Sequence, residues 1–160
     1  MPHSAPFENN VFLFPVVLSC LIFGILILLL LWLRKLALLR TREVLNRFEG
    51  TKVLGVKSGA NFFGLESLGM AQVRGNGVLV FTERELYFEM WIPKRVFRIP
   101  LASIEFVETP RSHLGKTKAR PLLKVVFLNE RGERDSMAWL VSDVYECKNA
   151  LEELAKRAKQ

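Results

Sequence analysis

Arg111, His113, Lys116, Lys118, Arg120 and Lys124 fall within 14 residues that contain no acid. Basic side chains gathered this way attract phosphate and carboxylate groups, so the segment offers a surface for phospholipid headgroups or for an acidic partner. A solvated loop joining two strands has the same composition, and both readings stand at this point. Lys94, Arg95 and Arg98 would add to the same positive field.

Residues able to break or form covalent bonds are scarce. The two histidines are His3, close to the N-terminus, and His113 in the basic segment. A Ser–His–Asp arrangement would have to use His113, and no Gly-x-Ser-x-Gly elbow accompanies it. Gly75-x-Gly77 lacks the third glycine and the following helix of a dinucleotide site. Glu83 and Glu85 stand two apart around a turn, where solvation explains them. Cys20 lies in an apolar run and Cys147 in an expected helix, so they form neither a disulfide nor a metal site. A binding protein without catalytic residues, metal or cofactor is therefore expected.

The elements that position these residues begin with Val11–Leu33, 23 residues without a charge, of which 18 are Leu, Ile, Val or Phe. As a helix this run covers roughly 34 Å, enough to cross a hydrocarbon core of about 30 Å. Its insertion is favourable by on the order of 5 kcal/mol or more. Pro15 falls near its start, where a missing N–H matters least, and Trp32 stands at its far end. A cleaved signal peptide fits poorly: no basic residue precedes the run, it is too long, and no small-x-small site follows.

Charge sets the expected orientation. Residues 1–10 hold no Lys or Arg, whereas Arg34, Lys35, Arg40 and Arg42 follow the run directly, which places residues 1–10 outside and the remainder in the cytoplasm. The expected location is the cell membrane, crossed once. After the run stand all 23 Lys and Arg against 15 of the 16 acids. That excess suits a domain held near an anionic leaflet. Nucleic acid would also suit a basic domain with aromatics, but the anchor and the lack of a helix-turn-helix or aromatic ladder argue against it.

Residues 34–49 continue as an amphipathic juxtamembrane helix closed by Gly50; it either prolongs the membrane helix, the favoured reading, or lies in the interface as a lipid-sensing element. Residues 50–69 hold five of the ten glycines and read as an irregular connection, in which Phe62 and Phe63 either touch the membrane surface or, the favoured reading, cover the following domain. Residues 70–160 then form that domain. Seven strands are expected at 70–74, 78–82, 85–91, 95–99, 103–108, 122–128 and 135–141. Tight turns are expected at Gly75-Asn76-Gly77, Ile92-Pro93-Lys94 and Asn129-Glu130-Arg131-Gly132, giving an antiparallel meander. A final helix opens at Ser142 or Asp143, with Glu146 as a capping-box partner. Its apolar stripe is Val144, Cys147, Leu151, Leu154, Ala155 and Ala158.

Seven strands and one closing helix, with Gly77-Val78-Leu79-Val80-Phe81-Thr82-Glu83-Arg84-Glu85-Leu86-Tyr87-Phe88 and Ile99-Pro100-Leu101-Ala102-Ser103-Ile104, resemble the GRAM and bacterial PH branch of the pleckstrin-homology-like superfamily. The resemblance covers about residues 69–160. Glu85 departs from it where the pattern usually has Arg, and Cys147 where the closing helix often has Trp. It implies an α+β domain: a partly open, seven-stranded antiparallel barrel capped by the C-terminal helix, behind an N-terminal transmembrane helix. Family members that read inositol phosphates commonly use a basic loop between the first two strands; the connection expected there is Gly75-Asn76-Gly77, so that specificity is not expected. Two roles remain. One is an interaction module that recruits or organises a protein partner at the membrane; the other is a peripheral module that binds anionic lipid through the basic loop.

Overall fold

The computed structural model describes residues 10–160, so His3 and nearly all of the expected outside tail lie beyond the described residues. One helix, α1, runs from Asn10 to Asn46 without a break between the apolar run and the juxtamembrane stretch. The chain divides into two compact units, residues 1–39 and 40–160. In the first, the helix is apolar on every side, with Phe23, Ile25 and Leu28 all exposed and a mean hydropathy of 3.1 over its richest window. It is long and apolar enough to cross a membrane.

The second unit is mainly one antiparallel sheet. Its strands in chain order are β1 (Val53–Leu65), β2 (Gly75–Thr82), β3 (Glu85–Met90), β4 (Arg95–Pro100), β5 (Ile104–Glu108), β6 (Ser112–His113), β7 (Lys116–Thr117), β8 (Leu123–Leu128) and β9 (Arg134–Leu140). Seven of them make the sheet, in the order β4-β3-β2-β1-β9-β8-β5. The short β6 and β7 make a separate hairpin between β5 and β8. The C-terminal helix α2 covers Val144–Ala158.

Six of the seven expected strands form close to their expected places. The first does not: residues 70–74 make no strand, and the longest strand, β1, occupies the segment expected to be an irregular connection. The reason is tertiary. Gly59 and Gly64 mark register shifts, the first within the pairing of β1 with β2 and the second within its pairing with β9, with φ of +77° and +138° that favour glycine. Glycines that read locally as loop signals are thus bulges inside a strand that pairs with β2 over residues 53–62 and with β9 over residues 61–65. The compact unit accordingly starts at Arg40 and not at residue 70.

Gly75-Asn76-Gly77 is likewise no turn but the start of β2, with Gly75 opposite Phe62 and Gly77 opposite Ala60. A Cβ on Gly77 would lie 2.2 Å from the Glu89 carbonyl oxygen and 2.7 Å from the Phe88 ring. Close packing, not turn geometry, requires glycine there. The other two expected turns form: residues 91–94 join β3 to β4, and the Asn129 side chain accepts from the amides of Arg131 and Glu133 at 2.9 and 3.0 Å.

Phe62 and Phe63, adjacent in β1, are both fully buried on opposite faces. Phe62 packs with Phe88, Phe97 and Trp139 in the main core, where α2 adds Val144, Cys147, Leu151 and Ala155. Each large apolar side chain removed from water contributes about 1.5–3 kcal/mol. Cys147 is simply a core residue. Asp143 stands at the N-cap of α2, but its side chain makes no capping bond, because it is engaged with Lys57. The end of α1 joins the same unit: Val44 is buried with Val78, Val80 and Tyr87, and Phe48 meets the Tyr87 ring edge-on at 5.0 Å.

Candidate binding groove

The basic segment does not act as one surface, because the fold uses half of it internally. His113 is buried in β6, its Nε2–H donating to the Gly64 carbonyl at 3.1 Å. Burial pushes its pKa below the ordinary value, and the Lys124 and Lys116 charges add to this against the Gly64 bond and Glu66. Lys116 donates to the Gln72 carbonyl at 2.9 Å and so ties the β6–β7 hairpin to the β1–β2 connection. Lys124 pairs with Glu108 across β5 and β8 at 3.3 Å. Arg111, Lys118 and Arg120 remain exposed.

Lys94 and Arg98 also face acids, Lys94 near Glu89 at 3.6 Å and Arg98 near Glu85 at 3.6 Å. With Arg95, which is exposed, they belong to β4 and the turn before it, and none of the three lines the groove described next. Of the charges after the apolar run, Arg34, Lys35, Arg40 and Arg42 are all exposed, and Arg40 lies 3.7 Å from Glu43.

Lys118 and Arg120 instead share an open groove of 670 Å³ with Lys57 of β1 and Arg74 at the entry to β2. Among the described residues that line it there is no Asp or Glu. Its floor and walls come from Ser58 to Asn61, Asn76, and Leu140 to Ser142 where β9 ends. Neither Lys57 nor Arg74 stands out in the sequence as part of a site. Lys57 lies in the glycine-rich stretch and is 61 to 63 positions from Lys118 and Arg120, so no local spacing could have joined them.

Arg74 is held rigidly. Its guanidinium lies 3.8 Å above the Phe63 ring and its Nη2 donates to Asn61 Oδ1 at 2.7 Å. Asn61 Nδ2 donates in turn to Asn76 Oδ1 at 2.7 Å. Lys57 donates to Asp143 Oδ2 at 3.2 Å and lies 3.8 Å from Glu146. Burial alone would lower the Lys57 pKa, but that bond and the neighbouring charges hold it above the ordinary value. Asp143 is lowered by the bonds from Lys57 and Ser142, with Arg120 contributing through its charge. The groove therefore presents fixed positive charge over polar walls, an arrangement suited to holding an anion.

Among the described residues no cluster of three or more His, Cys, Asp or Glu could hold a metal ion. The connection between the first two strands is residues 66–74, and its single basic residue is Arg74.

The architecture is thus an apolar N-terminal helix followed by a seven-stranded antiparallel sheet with a C-terminal helix. No protein-family model matches the chain, and no curated protein matches it. Among solved structures, the C-terminal domain of an unknown protein from Leishmania infantum is similar, with a TM-score of 0.53 at 13% identity, over 71% of this chain and 93% of that one. A chain of the 8S snRNP assembly intermediate gives a TM-score of 0.47 at 10% identity, over 67% of this chain and 81% of that one. The first likeness is one of fold alone.

Proposed function

We propose that the chain is a single-pass membrane protein whose cytoplasmic PH/GRAM-like domain recruits or organises a protein partner at the membrane. One observation carries this reading: Lys57, Arg74, Lys118 and Arg120 converge on a groove without an acid in its lining. Arg74, Lys118 and Arg120, drawn from separate parts of the fold beside an ion-paired Lys57, form a recognition surface more readily than a solvated loop does. The PH/GRAM-like reading is supported by the antiparallel strand order and the closing helix. The anchor is supported by the length and apolar composition of α1, and the cytoplasmic side by the charges of Arg34, Lys35, Arg40 and Arg42. Because the helix already supplies membrane attachment, lipid affinity in the domain would be redundant for localisation.

The test is site-specific photocrosslinking in cells from Ala119, exposed between Lys118 and Arg120. A discrete protein neighbour that disappears when Lys118 and Arg120 become Glu is the expected result. Crosslinks to phospholipid alone would replace the recruiting role with lipid binding.

A further inference from the structure

We propose that the groove holds a phosphate monoester carried on an extended segment of a protein partner. This deepens the recruiting role proposed above and rests on it.

The direction of the hydrogen bonds selects an anion. Arg74 gives a hydrogen to Asn61, and Asn61 gives one to Asn76, so the side-chain carbonyl of each amide is occupied from within. What the relay leaves at its Asn76 end is an amide donor, and Asn76 is exposed in the groove. Arg74 Nε is buried without a hydrogen-bond partner and lies out of a ligand's reach, so it takes no part in the wall. Ser58 and Ser142 stand at the rim, their hydroxyls already engaged with Thr41 and Asp143. A ligand rich in acceptors and negative charge satisfies this wall, whereas a cation or an apolar side chain does not.

Charge selects phosphate over carboxylate. Lys57 is offset by Asp143, which leaves Arg74, Lys118 and Arg120. A phosphate monoester brings about −1.5 to −2 charges and three acceptor oxygens, where a carboxylate brings one charge and two. Guanidinium groups bind such oxyanions in a planar fork, and the stacking of Arg74 on Phe63 fixes that fork before the ligand arrives.

Backbone selects a peptide over a lipid headgroup. At Gly59 the pairing of β1 with β2 slips by a residue, and Gly59 is exposed and lines the groove. Main-chain polar groups released at a bulge can pair with those of an extended chain laid beside β1. A headgroup has no such chain to offer.

The full-length protein, held in discs of zwitterionic lipid, is titrated with a short fluorescent peptide bearing one phosphoserine in an uncharged background. Matched peptides carry Ser or Glu at that position. The phosphoserine peptide should bind at least about tenfold more tightly than either control, and inorganic phosphate should displace it. Arg120→Ala and Lys118→Ala should each weaken it with thermal unfolding unchanged. Asn76→Asp, which puts an acid at the donor end of the relay, should abolish it. Equal affinity for the phosphoserine and Glu peptides, or binding indifferent to Asn76→Asp, overturns the inference. Binding of vesicles of phosphatidylserine and phosphatidylcholine in equal parts, without peptide binding, also overturns it in favour of lipid. If the neighbour crosslinked at Ala119 persists in Asn76→Asp while phosphate discrimination is absent, the phosphate claim falls and the recruiting role stands. Phosphopeptide binding with no crosslinked neighbour upholds the phosphate site and removes the recruiting role.

Discussion

Arg47 Nη1 donates to Glu89 Oε2 at 2.7 Å, joining the turn after α1 to the outer face of β3. The same carboxylate oxygen accepts from the Tyr87 hydroxyl at 2.6 Å, and Lys94 lies 3.6 Å from the other. Glu89 is only 5% exposed, so these partners take the place of water around its carboxylate. Burial, the bond to Glu89 and the carboxylate's charge push the Tyr87 pKa up to about 12, so the phenol stays a donor at any physiological pH.

Removing Arg47 leaves a buried carboxylate short of its nearest cation. Arg47→Ala should lower stability by about 2 kcal/mol, less than a fully buried pair would lose, because the Arg47 side chain is partly exposed. Denaturant unfolding of the full chain in micelles, followed by tryptophan fluorescence, measures this. Adding Glu89→Gln to Arg47→Ala should recover part of the loss. If the single substitution costs nothing, Lys94 and Tyr87 suffice to hold Glu89.

Two glycines separate packing from backbone strain. Gly77→Ala puts a methyl group into the Glu89 carbonyl and the Phe88 ring and should cost about 3 kcal/mol or prevent folding. Gly59→Ala meets nothing within 4 Å, but its φ of +77° should cost about 1–2 kcal/mol. Thermal unfolding of both variants should rank Gly77→Ala as clearly the worse. Equal losses would contradict the close approach of β2 to β3.

His113 predicts the acid side of the stability profile. Its folded pKa lies below the unfolded value of 6.5, so the unfolded chain binds the extra proton first. The contribution is fully present above 6.5, is lost as pH falls from there toward the folded value, and is constant below it. His113→Gln keeps a donor for the Gly64 carbonyl and should flatten the dependence in that window. An unchanged slope between wild type and variant would assign the effect to other groups.

Orientation is tested by fusing a reporter after Gln160 that works only outside the cytoplasm. Arg34, Lys35, Arg40 and Arg42 predict no activity. Reporter activity would reverse the topology and place the groove on the outer side.

A control on the sheet comes from Trp139, buried between Phe62 and Phe88 with its indole N–H unpaired. Trp139→Phe gives up area but also removes an unsatisfied donor worth about 1–3 kcal/mol, so it should cost far less than Trp139→Ala at about 3–5 kcal/mol. The midpoints of denaturant unfolding compare the two. Losses of the same size would mean that the indole N–H finds a partner in solution.

The apolar helix, six of the strands and the stripe of α2 were legible in the residues themselves, since each depends on a period or a run that local sequence carries. Val144, Cys147 and Leu151 face the core because a helix repeats every 3.6 residues. Only tertiary structure decided that residues 53–65 are a strand: Gly59 and Gly64 are local signals for a loop, and pairing with β2 and β9 overrides them. The same is true of the groove. Composition marked Lys116, Lys118, Arg120 and Lys124 alike, yet the fold spends Lys116 on the Gln72 carbonyl and Lys124 on Glu108, and sets Lys118 and Arg120 beside Lys57 and Arg74. Charge is a property of a residue, but whether it is neutralised or presented depends on neighbours brought close by strand pairing across long stretches of chain.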